Sequence, residues 1–162
     1  MFREMRRKKQ LLSREETIEI LKSCTAGILG VCGNDGYPYT VPMSYAYSDD
    51  KLYFHCAKEG HKIDGIKAND KVSFSVISRD DIIQETFTTH FSSVTVFGRA
   101  KLVEDYSLKK KTMKLLVEKY SPDFIKESKN EIEKEIKDVC IIEIEIEHMT
   151  GKSAIEIING KA

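Results

Sequence analysis

Residues 139–149, VCIIEIEIEHM, alternate Ile142, Ile144 and Ile146 with Glu143, Glu145 and Glu147. Side chains on a strand point to opposite faces in turn, so this is the clearest period-two signal in the chain: one face is core, the other strongly acidic. Working outward, 71–78 (KVSFSVIS) sets Val72, Phe74 and Val76 against Lys71, Ser73 and Ser75, a half-buried strand. Residues 92–105, SSVTVFGRAKLVED, resume strand character, and Gly98 inside them marks a bulge or a close backbone approach. Upstream, the run TAGILGVCG is followed by Asn34, Asp35 and Gly36, whose tolerance of positive φ suits a tight hairpin. YTVPMSYAY then returns as a strand with Pro42 at an edge or bulge, and KLYFHCA follows as a third, giving a three-stranded antiparallel meander over 25–57.

Helical signals are fewer. Ser13 and Glu16 form a capping-box pair ahead of Ile18 and Leu21. HKIDGIKAN allows two or three turns, and the longest helical pattern, DYSLKKKTMKLLVEKYSPD, ends at Pro122 with Lys109, Lys110 and Lys111 read as a solvated face. Residues 79–91 have no clean period and read as a loop or short helical excursion, and GKSAIEII could be a further short strand. No crossover helix separates each strand from the next. The fold class is therefore mainly β with flanking helices, a small six-stranded antiparallel barrel, in one domain spanning 1–162.

Composition limits the function. A chain of 162 residues with 26 basic and 26 acidic side chains has a formal net charge of zero, which asks for neither nucleic acid nor a membrane. The basic opening MFREMRRKKQ is not followed by an apolar segment, so it reads as a tail, a first helical turn or an arm toward a partner subunit, not a signal peptide. Cys24, Cys32, Cys56 and Cys140 show no paired spacing, which suits reduced thiols and a cytoplasmic setting.

The stretch HCAKEGHK, residues 55–62, concentrates the chemistry. His55 and Cys56 are neighbours on a strand and face opposite ways, so a shared metal is disfavoured and no metal site is expected. A cysteine nucleophile fails similarly, for want of a base on the same side. Beyond Gly60 a short helix begins near His61, so free backbone N–H groups and the Lys62 ammonium converge where an anion would sit. From these residues alone, an exposed Lys62 and a surface His61 remain an equal reading.

The ordered set VPMSYAY, KLYFHCAKEGHKID, KVSFSV and SSVTVFGRA resembles the flavin-binding split barrels of the pyridoxamine 5′-phosphate oxidase superfamily, and within it the branch of Nim-type nitroimidazole-resistance reductases. The likeness extends from MFREMRRKKQ through HMTGKSAIE. It implies a six-stranded split β-barrel, a homodimer and FMN bound at the subunit interface. Carried over, Gly60, His61 and Lys62 form the phosphate turn, with Lys62 on the phosphate and His61 the candidate catalytic residue. Pro42, Met43, Ser44 and Tyr45 lie along the isoalloxazine ring, His55, Cys56 and Ala57 on the neighbouring strand, and Ser93 adds a polar contact from the same site or the partner subunit. Barrel packing is the competing role for Met43 and Tyr45, a satisfied core histidine for His55, and a structural or exposed one for His90 and His148.

The expected function is an FMN-dependent oxidoreductase that reduces a small aromatic or nitro compound, with a nicotinamide or another reductant as electron source. Gly27, Gly30 and Gly33 have the wrong spacing for a dinucleotide fingerprint, so any nicotinamide binds transiently. Oxidation of pyridoxamine phosphate is disfavoured, because HMTGKSAIEIINGKA lacks the arginine- and histidine-bearing motif that grips that substrate. Two other classes stay open: a flavin or haem carrier or sensor, with His55, His61 or His90 as axial ligand, and a purely structural dimer.

Overall fold

The computed structural model describes residues 1–33 and 36–160. Helix α1 (Arg14–Ser23) leads into β1 (Ala26–Cys32), β2 (Pro38–Ser44), β3 (Ala46–Ser48) and β4 (Lys51–Cys56). Helix α2 (His61–Ala68), β5 (Lys71–Ile83), β6 (Thr88–Val103), α3 (Tyr106–Tyr120), α4 (Ser128–Glu135), β7 (Cys140–Ser153) and α5 (Ile155–Ile158) follow. All pairings are antiparallel, in the order β2-β1-β5-β6-β7-β4-β3. Among the described residues no helix is long and apolar enough to cross a membrane.

Among the described residues the strand count is seven, not six, and the ladder is not closed. The difference lies in YTVPMSYAY. Its first part, β2, pairs with β1 and its last part, β3, with β4, so one stretch of chain supplies both edges of the sheet. Tyr45 is the single residue between them. The expected meander is thus two hairpins facing opposite edges. A backbone turning from one ladder to another needs substitute partners, and the Tyr120 hydroxyl provides them. The Tyr45 N–H donates to Tyr120 Oη at 2.7 Å, which lies 2.7 Å from the Tyr45 carbonyl and 2.6 Å from that of Thr25. Burial holds the Tyr120 phenol above its ordinary pKa, so the proton it shares between those carbonyls is retained.

The inward faces pack as the alternation demands. Leu29, Val31, Phe54, Phe74, Val76, Val94, Val96, Ile142 and Ile144 are buried together. Tyr45 joins them edge-on to Phe74, centroids 4.8 Å apart at 68°, and Phe74 meets Phe54 at 5.2 Å and 74°. Such pairs add about 0.5–1.5 kcal/mol beyond the area they bury. On the opposite face of β7, Glu143 is only 1% exposed and is held by Lys51 and Lys101, both at 2.9 Å. Burial alone would raise its pKa; the hydrogen bonds from Lys101 and Lys51 outweigh it and hold the carboxyl below the usual range. Its contribution to stability is therefore present above the ordinary glutamate pKa and fades as the pH falls through the lowered one.

Several expectations hold. The capping box is formed, with Glu16 N–H donating to Ser13 Oγ and Ser13 N–H to Glu16 Oε2. Pro42 lies on an edge strand. The β6–β7 register shifts between Phe97 and Gly98, where a Cβ would fall 2.3 Å from the Glu145 carbonyl oxygen. Asn34 and Asp35 lie outside the described residues; Gly36 beside them has φ 85°.

Others do not. Residues 79–91 are chiefly strand, because β5 and β6 continue into one long hairpin through a single turn at Gln84–Thr86. GKS closes β7 and Ile155–Ile158 are helical. Lys109 donates to the Val139 carbonyl and Lys110 pairs with Glu133, so the three-lysine run is tied to its neighbours at two positions. The N-terminal segment lies on the sheet: Phe2 stacks on His148 at 4.8 Å, and Leu11 bridges to Lys152.

Replacing Tyr120 by Phe leaves the Tyr45 N–H without its acceptor and removes the donor to two carbonyls. The expected cost is about 1–3 kcal/mol, read as a lower urea midpoint at unchanged slope. A midpoint equal to that of the unaltered chain would show that the bend does not need the hydroxyl.

Candidate functional site

Strand β4 ends at Cys56, opposite Cys140 on β7. Leu52 and Phe54 point into the core, His55 is exposed and Cys56 is half-buried, so the two residues face apart. The exposed residues Ala57–Gly60 then turn the chain into α2. Gly60, the N-cap, has φ 128°, in the region where any side chain is strained, so glycine is required there by conformation. Its carbonyl accepts from Ile63 at 2.9 Å and Asp64 at 3.1 Å, but no side chain caps the helix. The N–H groups of His61 and Lys62 therefore have no partner among the described residues, and Lys62 has no ion pair there.

Helix α2 packs against β1, β2 and β6. Ile63 and Ile66 are buried below it, and Gly65 approaches β1 so closely that a Cβ would sit 2.9 Å from Val31 Cγ2 and 3.0 Å from the Cys32 carbonyl oxygen. On one side His61 stacks on Tyr39 of β2, centroids 4.2 Å apart at 19°. On the other, Lys62 is close enough to the Cys56 thiol to act on it electrostatically. Burial of Cys56 is the larger effect, the neighbouring Cys140 adds to it, and together they outweigh Lys62, so the thiol is pushed up to about 11. This corner opens at Gly60, presents the free amides of His61 and Lys62, and sets Lys58 and Lys62 beside Glu59 and Asp64. It is suited to a compact dianion such as a phosphate monoester.

The structure brings Cys56, Ala57, Gly60, His61 and Lys62 to this corner, with His55 on the outward side of the same strand end. Pro42 and Ser44 are exposed on the outer side of β2, and Met43 points inward and is half-buried. The ring of Tyr45 is fully enclosed beside Phe54 and Phe74, so only its backbone is available to a ligand. Ser93 sits in mid-ladder, with Ile77 on β5 and Lys152 on β7 as its partners. Tyr39 is the residue that sequence reasoning misses. It shares the inward period of Val41 and Met43, but nothing local signals that His61 comes back to lie on it.

A family model described as pyridoxamine 5′-phosphate oxidase matches residues 13–153. An uncharacterised protein of Rhizobium meliloti (strain 1021) is 33% identical over 90 residues, 56% of this chain; the match spans about half of that relative, 54% of its length. Among solved structures, a 5-nitroimidazole antibiotic resistance candidate of Bacteroides thetaiotaomicron VPI-5482 superposes with a TM-score of 0.74 at 21% identity, covering 88% of this chain and 85% of that one. An FAD-binding protein of Mesorhizobium loti has a TM-score of 0.60 at 29% identity, over 90% of this chain and 97% of its own.

Because the thiolate is the reactive form, alkylation by iodoacetamide at pH 8 should label the exposed Cys32 well before Cys56, and the Cys56 rate should keep climbing toward pH 11. Peptide mapping against pH checks this. A Cys56 rate that levels off near pH 8 would contradict the enclosed thiol.

Proposed function

The chain belongs to the pyridoxamine 5′-phosphate oxidase family, and from that premise we propose that it is a flavin-dependent oxidoreductase that holds FMN at the α2 corner, in the branch of the nitroimidazole-resistance reductases. The observation that carries the reading is the uncapped start of α2, where Gly60, two free amides and the unpaired Lys62 meet. Those donors fit the phosphate of a flavin mononucleotide. A bound flavin supplies the electron transfer, and the remaining tasks fall to residues of this chain.

Lys62 and the amides of His61 and Lys62 hold the phosphate. His55, Cys56 and Ala57 border the ring and ribityl chain through their backbone. Pro42, Met43, Ser44 and Tyr45 offer the edge of β2 to the isoalloxazine, Met43 through its half-buried side chain and Tyr45 through main chain alone. His61, kept flat by Tyr39, is placed to bind substrate or to deliver a proton to it. Ser93 completes the site from a second copy of the chain. A homodimer is supported by the apolar side chains left on the surface: Ile82 is 74% exposed, Phe87 97% and Ile77 67%, all on the β5–β6 hairpin. The substrate class is a small aromatic or nitro compound, and a nicotinamide or another soluble reductant supplies the electrons. The FAD-binding neighbour supports a flavin in this fold, and the resistance candidate supports the substrate class.

The test begins with the visible spectrum of freshly purified protein and chromatography of what denaturation releases. FMN release, followed by consumption of a nitroaromatic with a nicotinamide as donor, is the expected outcome. A sharp Soret band would favour haem, and a colourless protein that does not take up added FMN would overturn the reading. Lys62→Ala should weaken FMN binding by roughly 1.5–3 kcal/mol, about 10- to 150-fold in Kd, as loss of a charge-assisted contact. Fluorescence titration measures it, and an unchanged Kd would remove Lys62 from the phosphate.

A further inference from the structure

Cys56 and Cys140 face each other across the last rung of β4 and β7. The Ile146 N–H donates to the Asp50 carbonyl at 3.2 Å just beyond the other end of that ladder. Hydrogen-bonded and non-hydrogen-bonded pairs alternate between antiparallel strands, so counting by twos from Asp50 and Ile146 makes Cys56 and Cys140 a hydrogen-bonded pair. Such pairs hold their Cα atoms about 5.5 Å apart, inside the span of about 4.4–6.8 Å that a disulfide bridges. The two residues lie on the same side of the sheet, both half-buried and both free. Cys140 Sγ lies 3.8 Å from the Ile141 carbonyl oxygen.

Position matters as much as proximity. A disulfide across a hydrogen-bonded pair needs some backbone adjustment, and this rung is where adjustment is easiest: Cys56 runs into the exposed turn 57–60 and Cys140 begins its strand. Neither remaining cysteine competes. Cys32 is exposed at the far end of β1 opposite Pro38, and Cys24 ends α1.

We infer that Cys56 and Cys140 form an oxidisable dithiol, a modification site at which a peroxide closes a disulfide beside the turn that opens α2. One thiol, as thiolate, attacks a peroxide oxygen; the O–O bond breaks, water or alcohol leaves, and the sulfur becomes a sulfenic acid. The second thiol attacks that sulfur, the S–O bond breaks and a second water departs. The pair gives up two electrons and two protons, and the peroxide takes them. Burial and the neighbouring Cys140 outweigh Lys62 and hold the Cys56 thiol protonated at neutral pH, so closure is slow there and quickens as the pH rises toward 11. The bond stitches the strand that feeds Gly60, His61 and Lys62 to β7.

The test uses the full chain carrying Cys32→Ser, so that the exposed thiol does not couple two molecules. After treatment with hydrogen peroxide and capping with N-ethylmaleimide, the expected product is a monomer lighter by about 2 Da before capping, the loss of two hydrogens. Its peptide map should contain a Cys56–Cys140 link that dithiothreitol reverses. Cys140→Ser should abolish the link and leave oxygen adducts on Cys56. Separate oxygen adducts at both positions without a link, a link through Cys24, or no reaction would each overturn the inference. The map of the parent chain decides even if Cys140→Ser folds poorly. Mass alone is read, so failure here leaves the flavin reading untouched, and a flavin-free protein leaves this one untouched.

Discussion

One hydroxyl allows one strand to serve two edges. At Tyr45 the backbone leaves the ladder of β1 and enters that of β4, and between them it has no strand to pair with. Tyr120 Oη, at the end of α3, accepts from the Tyr45 N–H and reaches both its carbonyl and that of Thr25. Without a substitute partner the bend would bury unpaired main-chain groups, each costing about 1–3 kcal/mol. With it, the start of β1, the bend and α3 are tied to one oxygen, and the sheet can curl until its two edges are ends of the same strand.

A strand shared between edges cannot pair along its whole length with both neighbours. Helix α2 packs beside it on β1, β2 and β6, its apolar side in the core through Ile63 and Ile66 and its free N-terminal amides at the surface. Helix α2 contacts β2 through His61 on Tyr39, and its Lys62 acts electrostatically on Cys56 at the end of β4.

Much of this was legible in the sequence, and the part that was not has a common cause. The alternation of 139–149, the bulge at Gly98, the capping box at Ser13 and the turn at Gly60 are each set by residues within a few positions of one another, and each was readable. The division of YTVPMSYAY was not, because what splits it is Tyr120, 75 residues away, and a run of strand-forming residues looks the same whether it has one partner or two. The hairpin at 79–91 was hidden for a related reason. Away from the core its faces lose the apolar alternation that marks a strand, and only the register with β6 keeps it extended. At the site, Gly60, His61 and Lys62 were visible as a local cluster. Tyr39 under His61 and Cys140 beside Cys56 became visible only through the pairing.

The bend also concentrates polar atoms where the interior can least accommodate them. Among the described residues the buried Tyr45 phenol has no hydrogen-bond partner, and the Lys119 ammonium lies 4.0 Å from the centre of its ring, itself buried and unpaired. Burial lowers the Lys119 pKa and pushes that of Tyr45 well above the ordinary phenol range. The ring face offers the cation part of what water would, and the edge-on contact with Phe74 holds the ring for it. Stability lost to unpaired polar groups at the split is thus offset by aromatic packing at the same residue. Tyr45 can mark the division only because its ring is anchored in the core while its backbone is held from outside by Tyr120.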